Sequence, residues 1–126
     1  MTDRRAVCII ERNPFVAEDM REMLCIQLPD ADLSVFYDMA DARSGTAKAP
    51  DLIMIAADAH GSLDLSQDDL LWINGTKIIA FDTRNRDAHK DWIYLSKPFS
   101  EQELIGSVRA ALSEKAHEAR SDLTDI

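Results

Sequence analysis

The chain has no apolar run approaching the roughly 20 residues that a bilayer crossing requires. The run nearest the N-terminus, Ala6–Ile10, is shorter than the about 7–15 residues of a signal peptide's apolar core. The cytosol is the expected compartment, with no membrane partner. Positive charge is scarce too: 14 Lys and Arg face 23 Asp and Glu, a net charge of −9. A chain so acidic lacks the basic face that phosphate contact needs, so nucleic acid is not an expected ligand. The short basic cluster Arg84, Arg86 and Lys90 is interleaved with Asp87 and Asp91 and reads as a solvated face. The four glycines are dispersed and match neither dinucleotide nor Walker phosphate loops. Two cysteines, Cys8 and Cys25, lie in apolar periodic segments and read as buried thiols. His60, His89 and His117 are scattered, so neither a zinc site nor a hydrolase triad is indicated.

What is present is a regular alternation. Ala6 to Ile10 (AVCII), Leu52 to Ile55 (LIMI) and Lys77 to Phe81 (KIIAF) are apolar on both alternating faces, as strands covered on both sides require. Leu33 to Tyr37 is half polar and suits a sheet edge, and Trp92 to Leu95 is a fifth strand. Asn13 before Pro14 predicts an N-cap with proline at the first helical position. The helix it opens carries Val16, Met20, Met23, Leu24 and Leu28 on one stripe and stops at Pro29. Met39 to Ala49 predicts a weak helix and Ser66 to Ile73 a short one. Ser100-Glu101-Gln102-Glu103 is a capping box opening a last helix with Leu104, Ile105, Val108, Ala111 and Leu112 on its apolar stripe.

Strands alternating with helices imply right-handed βαβ crossovers and a parallel sheet, hence a doubly wound α/β domain. One domain over 1–115 is expected, followed by a frayed helix extension or tail over 116–126. Functional groups in this architecture gather beyond the carboxyl ends of the strands. That directs attention to Glu11–Asn13, Ala56–Gly61, Asp82–Arg86 and Ser96–Phe99.

Three segments, "IIERNPFVAEDMREML" from Ile9, "PDLIMI" from Pro50 and "YLSKPFS" from Tyr94, stand in an order that resembles the receiver domain of bacterial response regulators, the CheY-like fold, over about residues 5 to 115. The resemblance implies a five-stranded parallel sheet in the order 2-1-3-4-5 and a role in two-component signalling. In receiver domains two acids after the first strand and an aspartate ending the third hold Mg²⁺, and that aspartate accepts a phosphoryl group. A Ser or Thr after the fourth strand and a Lys after the fifth grip the phosphoryl oxygens. Mg²⁺ demands hard oxygen ligands in octahedral array, and phosphoryl transfer depends on positioning and charge neutralisation.

Carried onto this chain, the pattern keeps Glu11 as the first acid and Lys97 as the lysine. Arg12 takes the place of the second acid, Ala56 that of the phosphoacceptor, and Asp82 that of the Ser or Thr. A methyl group cannot attack a phosphoramidate. Glu11 and Asp82 against Arg12 and Lys97 sum to zero charge, so no Mg²⁺ or other cofactor is expected, Asp82 pairing with Lys97 and Glu11 with Arg12 or Lys97.

The expected function is therefore an atypical, non-enzymatic receiver that binds a protein partner (a kinase, a regulator or an output protein) without phosphorylation. Homodimerisation is left open. One alternative is a receiver that accepts phosphoryl on Asp58 with a displaced Mg²⁺ site; another is a small-ligand sensor using the strand-end cleft. Tyr94 matches the aromatic position that moves with the Ser or Thr in relatives, and Tyr94, Leu104 and Val108 are contact candidates. Asp82 and Lys97 stand closer in sequence than their counterparts in relatives by about seven residues, about two helical turns. The helix between the fourth and fifth strands is thus expected to be short or missing.

Overall fold

The computed structural model describes residues 5–46, 49–85, 89 and 91–124, with side chains up to 113. Its elements alternate as expected: β1 (Ala6–Ile10), α1 (Pro14–Gln27), β2 (Asp32–Phe36), α2 (Met39–Gly45), β3 (Leu52–Ala56), α3 (Gln67–Trp72), β4 (Lys77–Phe81), β5 (Ile93–Leu95) and α4 (Glu101–Thr124). The sheet is five-stranded in the order β2-β1-β3-β4-β5, and every neighbouring pair is parallel.

Alternation along the strands splits the core in two. Val7 and Ile9 of β1, Leu52 and Met54 of β3, and Ile79 and Phe81 of β4 join Met20 and Leu24 of α1 and Leu104, Ile105 and Val108 of α4. Cys8 and Ile10, Ile53 and Ile55, and Ile78 and Ala80 point to the other face, against Met39 and Ala42 of α2 and Ile73 after α3. The half-polar β2 lies at the edge with Val35 exposed.

The predicted caps are present. Asn13 Oδ1 accepts the Phe15 and Val16 amides, with Pro14 at the helix start. Ser100 and Glu103 form the expected reciprocal capping box on α4, and Ser66 and Asp69 form another on α3 that was not expected. Helix α2 ends at Gly45, earlier than the apolar pattern suggested; a Cβ on Gly45 would lie 2.8 Å from the Phe36 ring.

Two expectations need correction. Leu104 and Val108 are wholly buried, so neither can meet a partner; the stripe that suggested contact is the seam between α4 and the sheet. Cys25 is exposed while Cys8 is buried, because Cys25 follows the core residue Leu24 by one helical step of about 100° and faces outward. Both thiols are free, and burial pushes the Cys8 pKa up to about 12.

Helix α4 continues through the presumed boundary at 115 to Thr124. The ends of the chain, Ala47 and Lys48, and the acidic-basic stretch Arg86, Asp87, Ala88 and Lys90 fall outside the described residues. Among the described residues no helix lies between β4 and β5.

Candidate functional site

Parallel register brings the strand ends into one row. Ile10 pairs with Ile55, and Ala56 with Phe81, which pairs with Leu95. The residues that follow, Glu11, Asp82 and the Ser96–Lys97 turn, therefore surround the tip of β3. That tip is Ala56. Backbone bonds continue the sheet past its ends: the Ala57 amide donates to Phe81 O (2.9 Å) and the Asp82 amide to Leu95 O (2.9 Å).

Lys97 is held from two sides. Phe99 packs its ring on Phe81 with centroids 5.3 Å apart, anchoring the turn to the core. Asp82 Oδ1 accepts the Lys97 backbone amide at 2.8 Å. Asp82 does so from the left-handed backbone region (φ 60°), which short polar side chains tolerate better than most. Asp82 thus ties down the lysine turn.

The Lys97 ammonium lies 3.5 Å from Glu11 Oε1 and 3.7 Å from Asp82 Oδ2. The Glu11 side chain is only 9% exposed, against 43% for Lys97. Arg12 does not join them. Its guanidinium sits over the Tyr37 ring, 5.8 Å from the centroid, in an exposed cation–π contact. The expected charge balance is corrected accordingly: Glu11, Asp82 and Lys97 carry a net −1 without Arg12, which lines a cleft of about 170 Å³ together with Tyr37, Ala56 and Asp58.

Asp58 lies in the β3–α3 loop. Its Oδ1 accepts the His60 amide at 2.8 Å and the Ser62 amide at 3.0 Å, while its own amide donates to Ser62 O. The bonds from Ser62 and then His60 hold its pKa below the usual carboxylate value. Tyr94 is half-buried, and its hydroxyl accepts from the His89 amide and donates to His89 O, both at 3.2 Å.

Among the described residues, no three His, Cys, Asp or Glu side chains converge in a way that could hold a metal ion. The donor set at the strand tips does not fit octahedral Mg²⁺. One acid is present after β1, a methyl stands at Ala56, and an ammonium lies between the two remaining carboxylates.

No known protein-family model matches the sequence, and no curated protein matches it. Solved structures do. The signal receiver domain of an HD domain-containing protein from Pseudomonas fluorescens Pf-5 superposes with a TM-score of 0.72 at 23% identity, covering 95% of this chain and 95% of that one. A CheY-like response regulator receiver domain protein from Methanospirillum hungatei JF-1 gives a TM-score of 0.73 at 12% identity, over 92% of this chain and 99% of that one. The chain has the receiver fold. A third receiver domain, of a Luxo repressor protein from Vibrio parahaemolyticus, gives 0.69 at 22% identity over 94% and 98%. Between β4 and β5 the connection is short: the Lys97 amide bonds Asp82, only 15 positions earlier. A cavity beside the β4–β5 connection is lined by His89, Trp92 and Tyr94, a feature the sequence pattern did not reveal.

Proposed function

We propose that this receiver-fold domain works in signal transduction as a non-enzymatic, phosphorylation-independent module that binds a protein partner. One observation carries the reading: the β3 tip is Ala56, and the Lys97 ammonium already lies between Glu11 and Asp82. A phosphoryl group arriving there meets no nucleophile and an existing ion cluster. Mg²⁺ has one carboxylate after β1 and would have to displace the ammonium from it. The proposal includes no metal and no cofactor. The amides capped by the Asp58 carboxylate support a loop-fixing role for that residue rather than phosphoryl acceptance.

With Asp82 bonded to the Lys97 backbone, the lysine turn is held in one arrangement without a signal. Such a domain presents a constant surface, and its output depends on abundance or on the partner's own state. Titration with Mg²⁺ and beryllofluoride, followed by amide NMR, tests the reading. The expected result is no saturable shift at Glu11, Ala56, Asp82 or Lys97; saturable shifts centred on these residues would overturn it. Partner capture is expected to be equal with and without a phosphodonor.

A further inference from the structure

The chain carries a second cavity, of about 590 Å³, between the β3–α3 loop and the β4–β5 connection. Its size falls within the range of small-molecule sites, about 300–1,000 Å³. We propose that this cavity binds a small planar aromatic anion.

Three features point there, none of them part of the Glu11–Asp82–Lys97 cluster. The lining is aromatic and fixed: the His89 and Trp92 rings stack with centroids 3.8 Å apart, and Trp92 lies 6.4 Å from Tyr94. The two Tyr94 hydroxyl bonds to the His89 backbone hold that wall together. Leu63 and Leu65 add apolar surface, so a flat ring system finds stacking faces and aliphatic contacts together.

Charge is the second feature. In a chain of net −9, no acid is among the described residues that line this cavity. Arg84 lines it and is exposed, and its guanidinium makes no ion pair among the described residues. Arg21 and Arg43, by contrast, are committed to Glu18 and Asp69. A guanidinium with no acid partner among the described residues, beside an aromatic cleft whose described lining holds no acid, suits a carboxylate or sulfonate on an aromatic ring. The third feature is Thr83, which also lines the cavity and whose hydroxyl is buried without a hydrogen-bond partner. Buried hydroxyls are rarely left so, and a small rotation would give a ligand oxygen a donor.

The frame of the cleft is firm at one point. Gly61 (φ 79°) accepts the Arg84 amide at 2.9 Å, and a Cβ there would come within 2.9 Å of Arg84 backbone and side chain. The two loops are therefore in direct contact, which sets where the arginine side chain leaves the backbone.

The test is NMR titration of the full chain with 1-naphthoate, and in parallel with uncharged 1-naphthalenemethanol. The expected result is saturable naphthoate shifts centred on Leu63, Thr83 and Tyr94. Arg84→Ala, which keeps the amide bond to Gly61, is expected to weaken naphthoate about three- to fivefold, the scale of an exposed ion pair, and to leave the alcohol unchanged. Leu65→Trp, which fills the cavity, is expected to remove both. No saturable shift at millimolar naphthoate, shifts centred elsewhere, or an Arg84→Ala effect equal for acid and alcohol would each overturn the proposal. The Mg²⁺–beryllofluoride experiment is read at different residues, so either idea can fail without the other.

Discussion

Substituting Ala56→Asp puts a carboxylate at the strand tip and measures how the cluster there is balanced. Glu11, Asp82 and Lys97 sum to −1, and a third acid brings the sum to −2. At about 6 Å and an effective dielectric near 20, each like-charge pair costs about 3 kcal/mol and the single attraction to Lys97 returns about the same. The unscreened balance is near 3 kcal/mol against the variant. Lys97 and Asp82 are 43% and 35% exposed, so solvent and salt remove much of it, leaving about 1–2 kcal/mol at neutral pH and low salt. Urea unfolding is expected to show a lower midpoint at unchanged slope, with the deficit shrinking as salt is added and as the pH falls to where the new acid protonates. Adding Arg12→Asp supplies a second acid after β1 beside the one at position 56, and only this double variant is expected to gain stability from Mg²⁺, about 1.4 kcal/mol at tenfold excess over its dissociation constant. A single variant as stable as the parent at low salt, or a parent stabilised by Mg²⁺ as strongly as the double variant, would refute the reasoning.

Other expectations follow from particular residues. Leu104→Ala is expected to lose about 2–5 kcal/mol, as core truncations do, whereas a contact-face residue would change little; equilibrium unfolding decides. Asp58 has a depressed folded pKa, so its contribution to stability is complete above the ordinary carboxylate value and is lost as pH falls through the folded one. Thermal unfolding of Asp58→Asn is therefore expected to fall less steeply than the parent below about pH 4. Iodoacetamide at pH 8 is expected to modify Cys25 and spare Cys8 until denaturant is added, as intact mass would show.

The layered fold was legible because each cue has a local cause. Doubly apolar strands declared a sheet covered on both faces, and Asn13 and Ser100 declared helix starts through the amides they cap. The approach of Glu11, Asp82 and Lys97 was also readable, since parallel register fixes strand ends in a row. Side-chain direction was not. Arg12 beside Glu11 could turn inward or outward, and the Tyr37 ring that it sits over comes from the residue after β2, on another part of the chain. Leu104 and Val108 showed the opposite ambiguity, since an apolar helical stripe looks the same whether it meets the protein's own sheet or a partner. The aromatic cavity was not legible because its walls come mostly from loops, and no short-range pattern encodes their meeting.

The central claim is that no aspartate here receives a phosphoryl group. Incubation with a small-molecule phosphodonor and Mg²⁺, followed by intact mass measurement, tests it most directly. The account predicts an unchanged mass. A near-stoichiometric species about 80 Da heavier, mapped to an aspartyl side chain, would contradict it.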